Sequence, residues 1–198
     1  MAGEKGVWIE TATHNKFYIL NPTRKLIQIE DVASHLSHIS RFGGAVQERY
    51  SVAEHSIHCS RLCRKGAKIP GLMHDAHEAL IGADLVRPLK LAINHLAGKD
   101  LIGELVGPID RALEKDFDFS FEKSKAEVTG YDNALLEVEA KVIMRTPMLP
   151  EWKLQETGVY KIEEEAFRSM RIEFLKAPNY EEFCRDTFLE IFERHRYE

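Results

Sequence analysis

The sequence predicts an all-α domain, a helical bundle that carries one small N-terminal β-hairpin. Three observations point there. Alternating β-prone runs come only ahead of Pro22, apolar residues recur at helical spacing beyond it, and capping and breaking residues cut that pattern into helix-sized lengths.

The elements follow in order. Val7 to Thr11 and Lys16 to Leu20 are short β-prone runs around His14-Asn15, and Asn21-Pro22 ends the hairpin they predict. Val32, Leu36 and Ile39 fall on one face of a helix that stops before Gly43-Gly44. Ser51-Val52-Ala53-Glu54 has the form of a capping box, in which Ser51 and Glu54 satisfy each other's free N–H groups, and it opens a helix to about Gly66. Pro70 suits the first turn of a third helix that carries Leu72 to Ile81 and closes near Gly82. Leu101, Leu105, Ile109 and Ala112 predict more helix, with a break in two at Gly107-Pro108. A long helix is expected from about Glu122 to Met144, with Val128, Leu135, Val138 and Val142 inward, and Pro147 and Pro150 mark a loop after it. Two amphipathic helices close the pattern, one over Ile162 to Leu175 and one from an Asn179 cap through Phe183 and Phe188 to Phe192. With no repeat, low-complexity tract or linker, the expectation is one domain over 1–198: hairpin 1–22, helices 23–146, C-terminal helices 151–198.

Composition bounds the function. A chain of 198 residues with 44% apolar and 30% charged residues has the mix of a soluble globular protein with one sizeable core. No stretch approaches the roughly 18 apolar residues of a membrane span. Met1 to Glu10 lacks the basic-then-apolar order of a signal peptide, and a cytoplasmic location is expected. Of three cysteines, Cys59 and Cys63 lie one helical turn apart, which suits reduced thiols facing the core. A net charge of -5 argues against a nucleic-acid polymer or membrane partner. It leaves small anions open, since these need only local positive charge or a metal; a homo-oligomer is also open.

Histidine is where the sequence departs from an ordinary core. His74 and Asp75 are adjacent, and Glu78 lies four residues after His74, on the same face of the expected helix. His55 sits in the first turn of the preceding helix. Asp132 interrupts apolar residues in Tyr131-Asp132-Asn133-Ala134-Leu135, so it is either exposed or paired, because burying a lone charge is costly. Two imidazoles and two carboxylates make a mixed nitrogen and oxygen donor set that suits Mn, Co, Fe, Ni or Zn. Such an ion acidifies bound water and polarises a phosphoryl oxygen. Glu78, or Asp84 just past the helix end, could manage the proton. Singly, each of these residues is more often a surface or satisfied core group; only their joint occurrence points to a metal site. A zinc site along the stripe His55, Cys59 and Cys63 is the rival, but no second cysteine pair accompanies it. His58 and His77 neighbour the site, and His35 and His38 have no assigned role.

The order His55 … His74-Asp75 … Asp132 resembles the signature of the HD superfamily of metal-dependent phosphohydrolases. Ser51-Val52-Ala53-Glu54-His55-Ser56, His74-Asp75-Ala76-His77-Glu78, Ala83-Asp84-Leu85-Val86-Arg87-Pro88-Leu89-Lys90 and Asp132-Asn133-Ala134-Leu135 are similar to its 5′-deoxynucleotidase branch, over about Arg24 to Met144. Relatives in that branch include phage and antibiotic-pathway enzymes, such as that of oxetanocin biosynthesis. The resemblance implies an HD-type helical bundle and one divalent metal on His55, His74, Asp75 and Asp132, with Mg an option for a triphosphate substrate. It implies Glu78 and Asp84 as the acidic pair handling attacking water and leaving group. Arg41, in Ser40-Arg41-Phe42-Gly43, would clamp phosphate, with a cation at a helix C-terminus as the structural alternative. Arg87 and Lys90 are candidates for further phosphate contacts. The implied activity is removal of phosphate from a nucleoside or deoxynucleoside mono-, di- or triphosphate. The alternative, a module that senses a nucleotide without turnover, typically lacks ligands that are all present here.

Overall fold

The computed structural model describes residues 6–23, 25–144 and 160–197, and they form an all-α fold with one small hairpin. Strands β1 (Trp8–Glu10) and β2 (Lys16–Tyr18) pair antiparallel, with Ile9 opposite Phe17. Helix α1 (Ile29–His38) follows, then α2 (Val52–Leu62), α3 (Lys68–Met73), α4 (Ala76–Ile81), α5 (Arg87–Ala97) and α6 (Leu101–Phe117). Helix α7 (Lys125–Glu139) continues into a π turn over Ala140–Met144, and α8 (Glu164–Lys176) and α9 (Tyr180–His195) complete the described chain. The loop expected at Pro147 and Pro150 lies outside the described residues.

Most of the expected apolar faces are buried, although Leu101 is exposed and Ile39 lies just past the end of α1. Val32 and Leu36 of α1, Ile57 of α2, Leu72 of α3 and Phe188 of α9 share one core. Val128, Leu135, Val138 and Val142 join Tyr50, Cys59, Cys63 and Phe167 in a second. All three cysteines are buried and free. His35 acquires a role: it accepts the Ala12 N–H on Nε2 (3.1 Å) and donates from Nδ1 to the Ala79 carbonyl (2.9 Å), tying the hairpin loop to α4. Asn179 caps α9 as its side chain accepts the Glu182 N–H.

Four expectations need correction. First, the chain over Leu72 to Ile81 is two helices rather than one, because the backbone leaves helical geometry at Asp75 (φ -106°, ψ 13°). Packing explains it: α3 lies against α2 and α9, whereas α4 lies against α1 and α6. Second, Gly107-Pro108 does not break α6. Ile102, Ile109, Ala112 and Leu113 bury one continuous stripe, and that burial outweighs the backbone hydrogen bond lost at Pro108. Third, only half of the capping box forms. Ser51 Oγ accepts the Glu54 N–H, but the Ser51 N–H goes to the Tyr180 hydroxyl (2.8 Å), since the Glu54 carboxylate is taken by α8 and α9. Fourth, α1 ends at His38, so Arg41 is no helix-end cation; it stands in a 3-10 turn, Arg41–Gly44, whose Phe42 and Gly43 are both left-handed (φ 58° and 60°). Helix α5 had no counterpart among the elements expected from the sequence. Leu89, Ala92, Ile93 and Leu96 do recur at helical spacing, yet the helix buries none of its residues.

Candidate metal centre

Three segments deliver the four candidate ligands to one point. His55 comes from α2, His74 and Asp75 from the break between α3 and α4, and Asp132 from α7. Gly71 allows the approach of α3 to α2: a Cβ there would stand 2.9 Å from Cys63 Sγ and 3.2 Å from Ser60 Cα. His55 Nε2 lies 3.1 Å from His74 Nε2 and 3.1 Å from Asp132 Oδ1. Asp75 Oδ2 lies 3.3 Å from His74 Nε2 and 3.7 Å from His55 Nε2, and His74 Nε2 is 3.8 Å from Asp132 Oδ1.

The outer nitrogens decide what faces inward. His74 Nδ1 donates to the Gly71 carbonyl (2.8 Å), and His55 Nδ1 donates to Glu139 Oε1 (2.6 Å). Each neutral ring therefore turns an Nε2 lone pair toward the other, which is repulsive unless a cation stands between them. Two ligands each about 2.1 Å from a divalent ion and at right angles to it stand about 3 Å apart, so the 3.1 Å spacing and the mixed donor set fit such an ion. Without it, protons take its place. Burial lowers the His74 pKa, but Asp75 and Asp132 outweigh burial and push it up to about 9. Burial raises the Asp132 carboxyl, yet the two neighbouring histidines hold it well below the usual carboxylate range. Asp132 is thus both paired and, with a side chain 37% exposed, open on one side.

Around this point stand the other expected residues. Glu78 is buried, Oε1 accepts the Leu85 N–H (3.1 Å), and Oε2 has no protein partner. Burial, then the charges of Asp75 and Asp84, push its carboxyl up to about 9. The break at Asp75 means that Glu78 and His74 do not share a helix; one ligand atom each of Asp75, His77 and Glu78 nevertheless lies within 4.8 Å of the other two. Asp84 is half-buried and accepts the Gly43 N–H (3.2 Å), which joins the Arg41 turn to the loop after α4. Arg41 is buried, with Nη1 3.3 Å from Asp75 Oδ2 and Nη2 3.1 Å from Glu139 Oε2. Lys90 is near enough to Glu78 to favour its ionised form, and Arg87 is exposed at the start of α5. His58 reaches Glu54 (3.4 Å) rather than the centre, and His77 bonds Asp110 (3.1 Å).

Glu139 is the residue that the ordered motif does not contain. It is fully buried, and besides His55 and Arg41 it accepts the Tyr50 hydroxyl (2.6 Å). Burial raises its carboxyl, but His55 and Arg41 prevail and hold it down at about 2. One signal could have found it: Glu139 falls on the inward stripe of α7, four residues after Leu135 and three before Val142.

Comparison with known proteins names no activity. No family model matches the chain. It is 40% identical over 83 residues to the uncharacterized protein YfdR of Escherichia coli K12, an overlap covering 42% of this chain and 46% of YfdR. It is 33% identical over 98 residues to an uncharacterized protein of Rhodobacter capsulatus, covering 45% of this chain and 50% of that protein. The chain thus spans about half the length of the curated relatives it matches.

Proposed function

We propose that this protein is a divalent-metal phosphohydrolase of the HD type that removes phosphate from a nucleoside or deoxynucleoside phosphate. The observation that carries the reading is the pair of Nε2 atoms 3.1 Å apart with both Nδ1 positions committed elsewhere and two carboxylates alongside. His55, His74, Asp75 and Asp132 would hold Co, Mn, Fe, Ni or Zn, with Mg suited to a triphosphate. A metal so held supplies water acidified toward neutrality and a polarised phosphoryl oxygen. The protein's own groups do the rest. Glu78, buried within 4.8 Å of Asp75 and with one carboxylate oxygen free of protein partners, is placed to exchange a proton with attacking water or a leaving oxygen. Asp84 keeps that carboxyl high and fixes the Arg41 turn. Arg41 places a planar cation at the rim of the ligand set, where phosphate oxygens would lie, and Lys90 and Arg87 extend positive charge along α5. Among the described residues no helix is long and apolar enough to cross a membrane, and buried free thiols suit a reducing cytoplasm.

The test pairs elemental analysis with a phosphate-release screen of nucleoside mono-, di- and triphosphates against several metals. Wild type should carry about one divalent ion that His74→Ala and Asp75→Ala lose, and Glu78→Gln should keep the ion while turnover falls ~10²-fold or more. Full metal retention in His74→Ala, or no phosphate release from any nucleotide, would sink the reading.

A further inference from the structure

We infer that Glu139 is the positioning residue of this centre, one carboxylate oxygen setting the tautomer and aim of His55 and the other the fork of Arg41. The inference rests on the metal reading above and extends it to a residue outside the ordered ligand pattern.

The geometry is reciprocal. Asp132 and Glu139 lie seven residues apart on α7, two turns along one face. They meet the two ends of a single imidazole: Asp132 Oδ1 at 3.1 Å from His55 Nε2, and Glu139 Oε1 at 2.6 Å from His55 Nδ1. A carboxylate at Nδ1 keeps the proton there, leaves the Nε2 lone pair for a metal and makes that nitrogen a stronger donor. The same oxygen accepts the Tyr50 hydroxyl at 2.6 Å, and the whole group is out of water, so it cannot swing to other partners. Glu139 Oε2 meanwhile takes Arg41 Nη2 at 3.1 Å while Nη1 reaches Asp75, a metal ligand. This second contact matters electrostatically. A buried guanidinium beside a cation site repels the cation, and with Glu139 present three carboxylates balance one guanidinium and a divalent ion. Removing the Glu139 charge leaves Arg41 pulling on Asp75 alone.

The experiment uses the full chain, stripped of metal and titrated with Co²⁺ in competition with a chromophoric chelator, together with nitrogen-15 NMR of the histidine side chains. Glu139→Gln keeps the size and one acceptor but turns an NH₂ toward Arg41. The Co²⁺ Kd should rise ~10- to 100-fold, as for loss of an outer partner of a metal-bound histidine. Tyr50→Phe should move it the same way by less. In metal-loaded wild type the His55 ring should carry its proton on Nδ1, and in Glu139→Gln that resonance should shift or vanish while cooperative melting persists. A wild-type Co²⁺ affinity no different from that of His74→Ala defeats the metal reading and this inference with it. An affinity that His74→Ala abolishes and Glu139→Gln leaves unchanged overturns the inference alone. Should Glu139→Gln not fold, wild-type His55 protonated on Nε2, or Tyr50→Phe with unchanged Kd, overturns it.

Discussion

The Arg41 guanidinium is engaged twice inside the protein, by Asp75 at 3.3 Å and Glu139 at 3.1 Å, and this sets what its substitution should do. A helix-end cation would cost well under ~1 kcal/mol to remove. A buried double pair costs more: Arg41→Ala takes the guanidinium away from both Glu139 and Asp75 and should lose about 3–5 kcal/mol of stability. Arg41→Lys can meet one carboxylate but not fork between two, so its loss should be smaller. If Arg41 also grips phosphate, kcat/KM should fall at least ~10-fold in Arg41→Lys at saturating metal, the worth of one charge-assisted hydrogen bond. Melting curves and kinetics on the same variants separate the roles: a lowered Tm with normal kcat/KM would confine Arg41 to holding the centre together. This distinction was not legible in the sequence, because both of its partners are distant in the chain.

Among the elements, α6 and the α3–α4 break invert what local rules predict. Pro108 sits mid-helix, without an N–H for the Glu104 carbonyl, yet the helix runs through it. The strain should therefore be recoverable. Pro108→Ala is expected to raise stability by about 1–3 kcal/mol, read as a higher Tm with unchanged circular dichroism. A lower Tm would mean that the proline fits a local bend that alanine does not supply. The break at Asp75 is the opposite case: no glycine or proline marks it, yet two short helices part there because each packs on different neighbours. The consequence is chemical. A regular helix would set Asp75 about 100° around the axis from His74, whereas the break lets both reach one point.

Across the whole molecule, the C-terminal helices hold α2 in place through a buried charge. Glu54, one residue before His55, accepts Arg171 Nε of α8 (2.9 Å) and the Tyr180 hydroxyl of α9 (2.5 Å). Arg171 also reaches Glu48 (3.0 Å) and the Arg49 carbonyl (2.7 Å), and it is 1% exposed. Arg171→Ala should cost about 3–5 kcal/mol, because it strands the Glu54 charge out of water. Urea denaturation measures that directly, and a loss under ~1 kcal/mol would show that Glu54 finds solvent or another partner. A stable Arg171→Ala variant with weakened Co²⁺ binding would show the same tie acting on the placement of His55.

The sequence by itself determined the fold class, the hairpin, the inward faces of α1, α2, α7 and α9, and the candidate ligands His55, His74, Asp75 and Asp132. Periodicity, caps and ordered polar residues are local signals that survive without coordinates. Tertiary structure alone decided the break at Asp75, the continuity of α6 through Pro108, the capture of Glu54 by α8 and α9, and the partnership of Glu139 with His55 and Arg41. Along the chain only helical phase sets Glu139 apart from Glu137, two residues earlier, which pairs with Lys141 at the surface. Its role comes from a partner 84 residues away, an energy that depends on which helices meet and is written in no single segment.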